Sequence, residues 1–119
     1  MYRYYNNNPR GNNISDCVIR AVALAENISW SECQEKMSTL ARKRGQMLDS
    51  VEFVENYLDY HYPRQCHVSK TIGEFTKECS VGVYLATMNG HITCIIDGDV
   101  YDTFDCSDRV MRCSWCVEK

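Results

Sequence analysis

The chain has 119 residues, of which 45% are hydrophobic, and its formal net charge is −3. This length and composition supply one hydrophobic core, so we expect a single domain over residues 1–119. The longest basic cluster is Arg42-Lys43-Arg44, which argues against nucleic acid as a partner. No apolar run has the length of a signal peptide or a membrane span, so we expect a cytoplasmic protein with no membrane partner. In a reducing compartment, the eight cysteines are predicted to be free thiols or metal ligands.

The chain is predicted to begin with an irregular segment over residues 1–15, because Asn8-Pro9-Arg10-Gly11 favours a turn. A helix with apolar side chains on nearly every side follows as far as about Glu26, with Arg20 as its one exception. A helix of that composition belongs in the interior of a fold. Ser15 or Asp16 is its expected N-cap.

Three further helices are predicted, and two of them open with a capping-box sequence, at Ser29 and at Thr71. Their expected ranges are residues 29–44, 49–60 and 71–79. Between and after them the hydrophobic pattern changes to a period of two, which is typical of strands. The predicted strands cover residues 65–69, 81–88, 91–97, 100–105 and 110–117. Helices followed by a mainly antiparallel sheet predict the α+β class.

Cys17 lies on the first turn of the apolar helix. A thiol in this position is close to the positive end of the helix macrodipole and to unpaired backbone N–H groups, which favour the thiolate and can bind an oxyanion. A buried structural cysteine is the competing interpretation. Cys17 is therefore a candidate nucleophile that requires a base nearby.

His91 is the preferred candidate for that base, over His61 and His67, because it opens a central strand directly after the turn Asn89-Gly90. The next turn, around Gly98, decides which aspartate lies beside it. A three-residue turn would pair His91 with Asp105, whereas a two-residue turn would bring Asp102 onto the same face. Asp105 is the first choice for the group that orients His91, and Asp102 is the alternative.

The order of a cysteine at the start of a buried helix, a histidine at the start of a strand and an aspartate on the next strand resembles the papain-like cysteine peptidase superfamily. The pair Asp16-Cys17 before an apolar helix is similar to the peptidase domains that trim bacteriocin leaders. Residues 8–11, the run Asp-Cys-Val-Ile-Arg-Ala at 16–21, Gly90-His91 and residues 101–106 together resemble small uncharacterised phage and bacterial proteins of papain-like type.

This resemblance implies a papain-like fold, in which the central helix packs on the C-terminal sheet. It also implies Cys17 as nucleophile, His91 as base and Asp105 as orienting group. A side-chain amide before the cysteine, usually that of Gln, helps to form the oxyanion hole in such enzymes. Here the candidates are Asn12 and Asn13, and spacing favours Asn12. The implied activity is hydrolysis or acyl transfer at an amide, isopeptide or thioester bond of a peptide or protein, and no cofactor is expected.

Two other interpretations remain open at this point. Cys106, Cys113 and Cys116, completed by Cys66 or His67, are a weak candidate for a structural zinc site. Alternatively, the chain is a catalytically inactive binding module with a papain-like fold, for example a phage protein that acts on a host factor.

Overall fold

The structure is a computed structural model that describes residues 1–11 and 16–118. Within these residues the chain forms four helices and a six-stranded sheet, which is an α+β fold. The helices are α1 (Cys17–Glu26), α2 (Trp30–Lys43), α3 (Val51–His61) and α4 (Ile72–Glu78). The strands are β1 (Tyr2–Tyr4), β2 (Arg64–Cys66), β3 (Val83–Met88), β4 (His91–Ile96), β5 (Asp99–Asp102) and β6 (Met111–Glu118).

Hydroxyl side chains cap three of these helices. Ser29, Ser50 and Thr71 accept hydrogen bonds from the backbone N–H groups of the third residues that follow them, which satisfies donors that have no partner inside the helix. The capping box predicted at Thr71 is present in full. Helix α3 begins later than Asp49 because Ser50 is its cap.

Helix α1 ends as its sequence predicts but begins differently. Asn27 follows it with a left-handed φ of 58° and donates its backbone N–H to the last turn, a role that favours asparagine or glycine. Asp16 occupies the N-cap position without making a capping hydrogen bond, because its carboxylate binds other side chains. The alternative cap, Ser15, lies outside the described residues.

The strand order is β1-β5-β4-β3-β6-β2. Neighbouring strands are antiparallel, except that β1 runs parallel to β5. The expectation of an irregular segment over residues 1–15 is therefore wrong for Tyr2–Tyr4. These residues form a strand because they pair with Val100–Asp102, nearly a hundred residues further along the chain, and local turn signals do not indicate such a distant partner.

The sheet separates two hydrophobic clusters. Helices α1, α2 and α3 pack with sheet residues such as Leu85, Ile92 and Trp115. Helix α4 packs with a second set that includes Ile95 and Val100. Val22 and Ala23 of α1 are fully buried in the first cluster, so α1 is the central helix. No helix in the described part of the chain is long and apolar enough to cross a membrane.

Glu26, the last residue of α1, joins the three helices of the first cluster. Its Oε2 accepts hydrogen bonds from the hydroxyls of Tyr57 at 2.8 Å and Tyr62 at 2.6 Å. Its Oε1 lies 2.6 Å from Nζ of Lys36 on α2. Burial raises the pKa of Glu26, but these partners outweigh burial and lower it overall. Glu26 therefore holds α1 against α2 and α3 as a carboxylate.

Candidate active site

Helix α1 places Cys17 at its first position, next to the start of β4. The Cys17 side chain is partly exposed, and it lines a groove together with His91. Burial raises the pKa of its thiol, whereas the adjacent His91 side chain and Ile92 backbone lower it. The structure therefore brings together the predicted nucleophile and the predicted base, which are separated by more than seventy residues in the sequence.

The imidazole of His91 is held on its other side by Asp102. The His91 Nε2 and Asp102 Oδ2 atoms are 2.6 Å apart, and both side chains are buried. Because Nε2 faces Asp102, Nδ1 is the ring nitrogen left for the thiol. A thiol, an imidazole and a carboxylate in this order can act as nucleophile, base and orienting group.

The structure places Asp102 beside the His91 imidazole, where Asp105 was the first choice from the sequence. The position expected for Asp105 is therefore corrected to Asp102. Strands β4 and β5 pair Ile96 with Asp99, which leaves a two-residue turn. Continuing this register sets Asp102 opposite Thr93, on the same face of the sheet as His91. Asp105 is exposed and its Oδ1 accepts a hydrogen bond from the Ser107 backbone at 3.0 Å.

The surroundings of Cys17 favour its thiolate. Burial raises the pKa of the thiol, but the hydrogen bond and charge of His91, together with the Ile92 backbone and the charge of Arg20, bring its pKa below the usual value. The other buried cysteines show the opposite effect, since burial raises the pKa of both Cys33 and Cys94 to about 12. Cys17 is thus distinguished from them by its neighbours rather than by its depth.

His91 and Asp102 favour the charged forms that complement this thiolate. Burial lowers the pKa of His91, but Asp102 and Cys17 raise it to about 9. Burial raises the pKa of Asp102, but the hydrogen bond with His91 outweighs it and the pKa falls. All three shifts therefore run in the direction that favours a thiolate, an imidazolium and a carboxylate side by side.

Arg20 is a buried charged residue that contacts Asp102 from the interior of the protein. Its guanidinium forms an ion pair with Asp16, the N-cap residue of α1, and its Nη2 lies 3.6 Å from Asp102 Oδ1. All three side chains are buried. Sequence analysis singled out Arg20 as the one exception on the apolar faces of the helix, and that was a signal of its role. A buried charge needs a partner, yet nothing local indicated Asp102 as that partner.

Asp16 is fixed by further donors. Its Oδ2 accepts hydrogen bonds from Trp30 Nε1 at 2.8 Å and from Asn8 Nδ2 at 3.3 Å. Asp16 is thereby linked to α2, to the N-terminal segment and, through Arg20, to Asp102. This network explains why Asp16 does not cap α1, and it holds the start of the helix beside the sheet.

The groove beside Cys17 has a volume of about 420 Å³. Helix α1, helix α3 and the turn between β3 and β4 form its walls, with Val18, Val54, Met88 and Ile92 as apolar lining residues. Glu55 and Arg112 contribute charges to the lining, and their Oε2 and Nη2 atoms lie 3.8 Å apart. The groove has room for several atoms of an extended chain that crosses the thiol.

Asn12, the residue expected to complete an oxyanion hole, lies outside the described residues. The backbone N–H groups at the start of α1 have no acceptor within the helix and lie next to the Cys17 thiol. They are the described groups that can stabilise an oxyanion at this site.

Of the candidate zinc ligands, Cys106, Cys113 and Cys116 are not brought together, although Cys66 lies beside Cys113. Cys113 belongs to the cluster on the α1 side of the sheet, whereas Cys106 belongs to the cluster on the other side, and Cys116 contacts Tyr84. Strand geometry explains the separation of Cys113 and Cys116, because residues three apart point to opposite faces. His67, a possible fourth ligand, bonds through Nε2 to Ser114 Oγ at 2.9 Å.

Within residues 1–11 and 16–118, His91, Asp102 and Cys106 are the one group of three side chains that could ligate a metal. Burial and the charge of Asp102 raise the pKa of Cys106 to about 12. The His91 Nε2 and Asp102 Oδ2 atoms bind each other.

Comparisons with protein-family models, with curated proteins and with solved structures find no match to this chain.

Proposed function

We propose that this chain is a papain-like, cysteine-dependent hydrolase or acyl transferase acting on an amide, isopeptide or thioester bond of a peptide or protein. The observation that carries the proposal is the position of His91, which is hydrogen bonded to Asp102 at 2.6 Å and lines the same groove as Cys17, whose pKa it lowers. We place the protein in the cytoplasm, where cysteines stay reduced, and we take a phage origin as part of the same proposal.

The reaction begins with the thiolate of Cys17, whose proton resides on His91. The sulfur attacks the substrate carbonyl, and the backbone N–H groups at the start of α1 bind the oxyanion. His91 then gives its proton to the leaving amine, which leaves an acyl thioester on Cys17. Asp102 keeps the imidazole in the required tautomer and stabilises its positive charge. Water, or a second nucleophile, activated by His91, cleaves the thioester and regenerates the thiol.

A panel of peptide thioesters and fluorogenic peptide amides tests this proposal. We expect the native chain to accept an acyl group at Cys17, seen as a mass increase of the peptide that carries it. Cys17→Ala and His91→Ala should abolish acylation and turnover, whereas Cys116→Ala, a partly exposed cysteine outside the site, should leave both unchanged. Turnover that survives Cys17→Ala would refute the assignment. A native chain that is acylated nowhere would favour the inactive binding module.

A further inference from the structure

Two cysteines outside the candidate active site lie side by side at one edge of the sheet. Cys66 on the edge strand β2 is directly opposite Cys113 on β6. Their Sγ atoms are 3.1 Å apart. Cys66 is exposed and Cys113 is buried. The acyl-transfer chemistry at Cys17 uses neither of them.

We propose that Cys66 and Cys113 are a site of reversible oxidation to an intramolecular disulfide. The backbone supports this pairing, because the His67 N–H donates to the Arg112 carbonyl at 2.9 Å, which makes Cys66 and Cys113 a non-hydrogen-bonded pair. Cα atoms in such pairs are about 4.5 Å apart, within the range of about 4.4 to 6.8 Å found for disulfides. To bond at about 2.05 Å, the two sulfurs need to approach by about 1 Å.

The surroundings assign different roles to the two thiols. Cys66 is exposed, so it reacts with an oxidant first. Cys113 is buried, so it reacts in the second step, with the sulfur of Cys66. Burial and the neighbouring Cys66 raise the pKa of Cys113 to about 11, which makes it a weak nucleophile toward external reagents. Nη1 of Arg64 lies 3.9 Å from the Cys113 sulfur and favours its thiolate when the second step takes place.

The oxidant we specify is a low-molecular-weight disulfide such as oxidised glutathione. The Cys66 thiolate attacks it, forming a mixed disulfide and releasing one glutathione thiol. The Cys113 thiolate then attacks the Cys66 sulfur and releases the second glutathione thiol. The two cysteines together lose two electrons and two protons, and the small disulfide is reduced to two thiols. The new bond joins edge strand β2 to β6, next to Arg112 in the groove.

The test equilibrates the full chain in a series of buffers of reduced and oxidised glutathione, quenches it with acid, alkylates the remaining thiols and maps them by mass spectrometry. We expect a peptide containing Cys66 to become linked to the peptide containing Cys113, with loss of both thiols and of two hydrogen atoms, and dithiothreitol to reverse the change. Cys116 lies near Cys113 in the sequence, so Cys116→Ser is the matched control and should retain the link.

In Cys113→Ser, oxidation of Cys66 should stop at the mixed disulfide with glutathione. Because Cys113 is buried, that variant carries a risk of misfolding, but the native chain and Cys116→Ser decide the question without it. The proposal would be overturned if Cys66 and Cys113 both remained open to alkylation throughout the series of buffers. It would also be overturned by a native chain in which Cys66 accumulates only as the mixed disulfide, or by a link that disappears in Cys116→Ser.

Discussion

At the scale of single residues, the candidate site depends on which carboxylate holds His91. Asp102 is buried and 2.6 Å from the imidazole, whereas Asp105 is exposed and binds a neighbouring backbone N–H. The two aspartates are three positions apart and chemically identical. Their different surroundings follow from the strand register, so they form a matched pair for mutation.

Asp102→Asn should slow acylation of Cys17 by about 100-fold or more, which is the scale of a misoriented general base. Loss of the carboxylate charge should also lower the pKa of His91 from about 9, so the imidazolium that protonates the leaving amine is lost at lower pH. The measurement is the pH profile of Cys17 acylation. Asp105→Asn should leave rate and profile unchanged; an equal effect of both substitutions would rule out a specific role for Asp102.

Arg20 is predicted to matter for stability, because it is the cation between two buried carboxylates. Arg20→Met keeps most of the side-chain volume but leaves Asp16 and Asp102 without that charge. Breaking a buried ion pair from one side costs about 3–5 kcal/mol, which urea unfolding would measure. Arg42→Met, at an exposed position on α2, should change the free energy of unfolding by less than about 0.5 kcal/mol. Equal losses of unfolding free energy in Arg20→Met and Arg42→Met would contradict the proposed contribution of the buried ion pairs.

At the scale of elements, the helices are well predicted from the sequence because their signals are local. Capping hydroxyls, the turn-forming Asn27 and apolar spacings of three and four all lie within the element that they define. Strand β1 was missed because it is defined by a partner across the fold. The choice between Asp102 and Asp105 was left open for a related reason, since one residue in the turn at Gly98 shifts the whole register.

Glu26, at the junction of α1, α2 and α3, is predicted to contribute to the stability of the fold. Glu26→Gln removes the charge that two tyrosine hydroxyls and Lys36 share, and hydrogen bonds to charged groups contribute about 1.5–3 kcal/mol each. We expect a loss in that range by urea unfolding at pH 7. Glu35→Gln, at an exposed position on α2, is the control and should be nearly neutral.

The loss of unfolding free energy in Glu26→Gln should depend on pH. The pKa of Glu26 is lower in the folded chain than its ordinary value of 4.5. Its stabilising effect is therefore complete above pH 4.5 and disappears as the pH falls through the folded pKa. The difference between the native chain and Glu26→Gln should shrink over that acidic window. If the difference in the free energy of unfolding stays constant even where Glu26 is fully protonated, the charge of Glu26 is not what joins the helices.

At the scale of the whole molecule, the candidate site lies where the helical half of the chain meets the sheet. The N-terminus of α1 supplies Cys17, two neighbouring strands supply His91 and Asp102, and α3 forms a wall of the groove. Sequence reasoning identified Cys17 and His91 because each starts an element with a recognisable pattern. It did not identify the groove or the partner of Arg20, because both depend on how distant elements pack.

The eight cysteines allow the central claim to be tested within one molecule. If Cys17 is a thiolate paired with His91, it should react with alkylating agents at a pH where ordinary thiols are protonated. Buried cysteines such as Cys33 and Cys94, whose pKa is raised to about 12, should remain unlabelled. Cys116 is partly exposed, belongs neither to the Cys17–His91 pair nor to the Cys66–Cys113 pair, and is the internal reference for an accessible thiol.

The most direct measurement is the rate of iodoacetamide labelling of the reduced native chain as a function of pH, with mass spectrometry to locate each modified cysteine. We predict that Cys17 is labelled first and well below pH 8, ahead of Cys116, and that His91→Ala abolishes this preference while Asp105→Asn preserves it. Slow labelling of Cys17 that follows the pH dependence of Cys116, or a preference for Cys17 that survives His91→Ala, would contradict a poised thiolate–imidazolium pair.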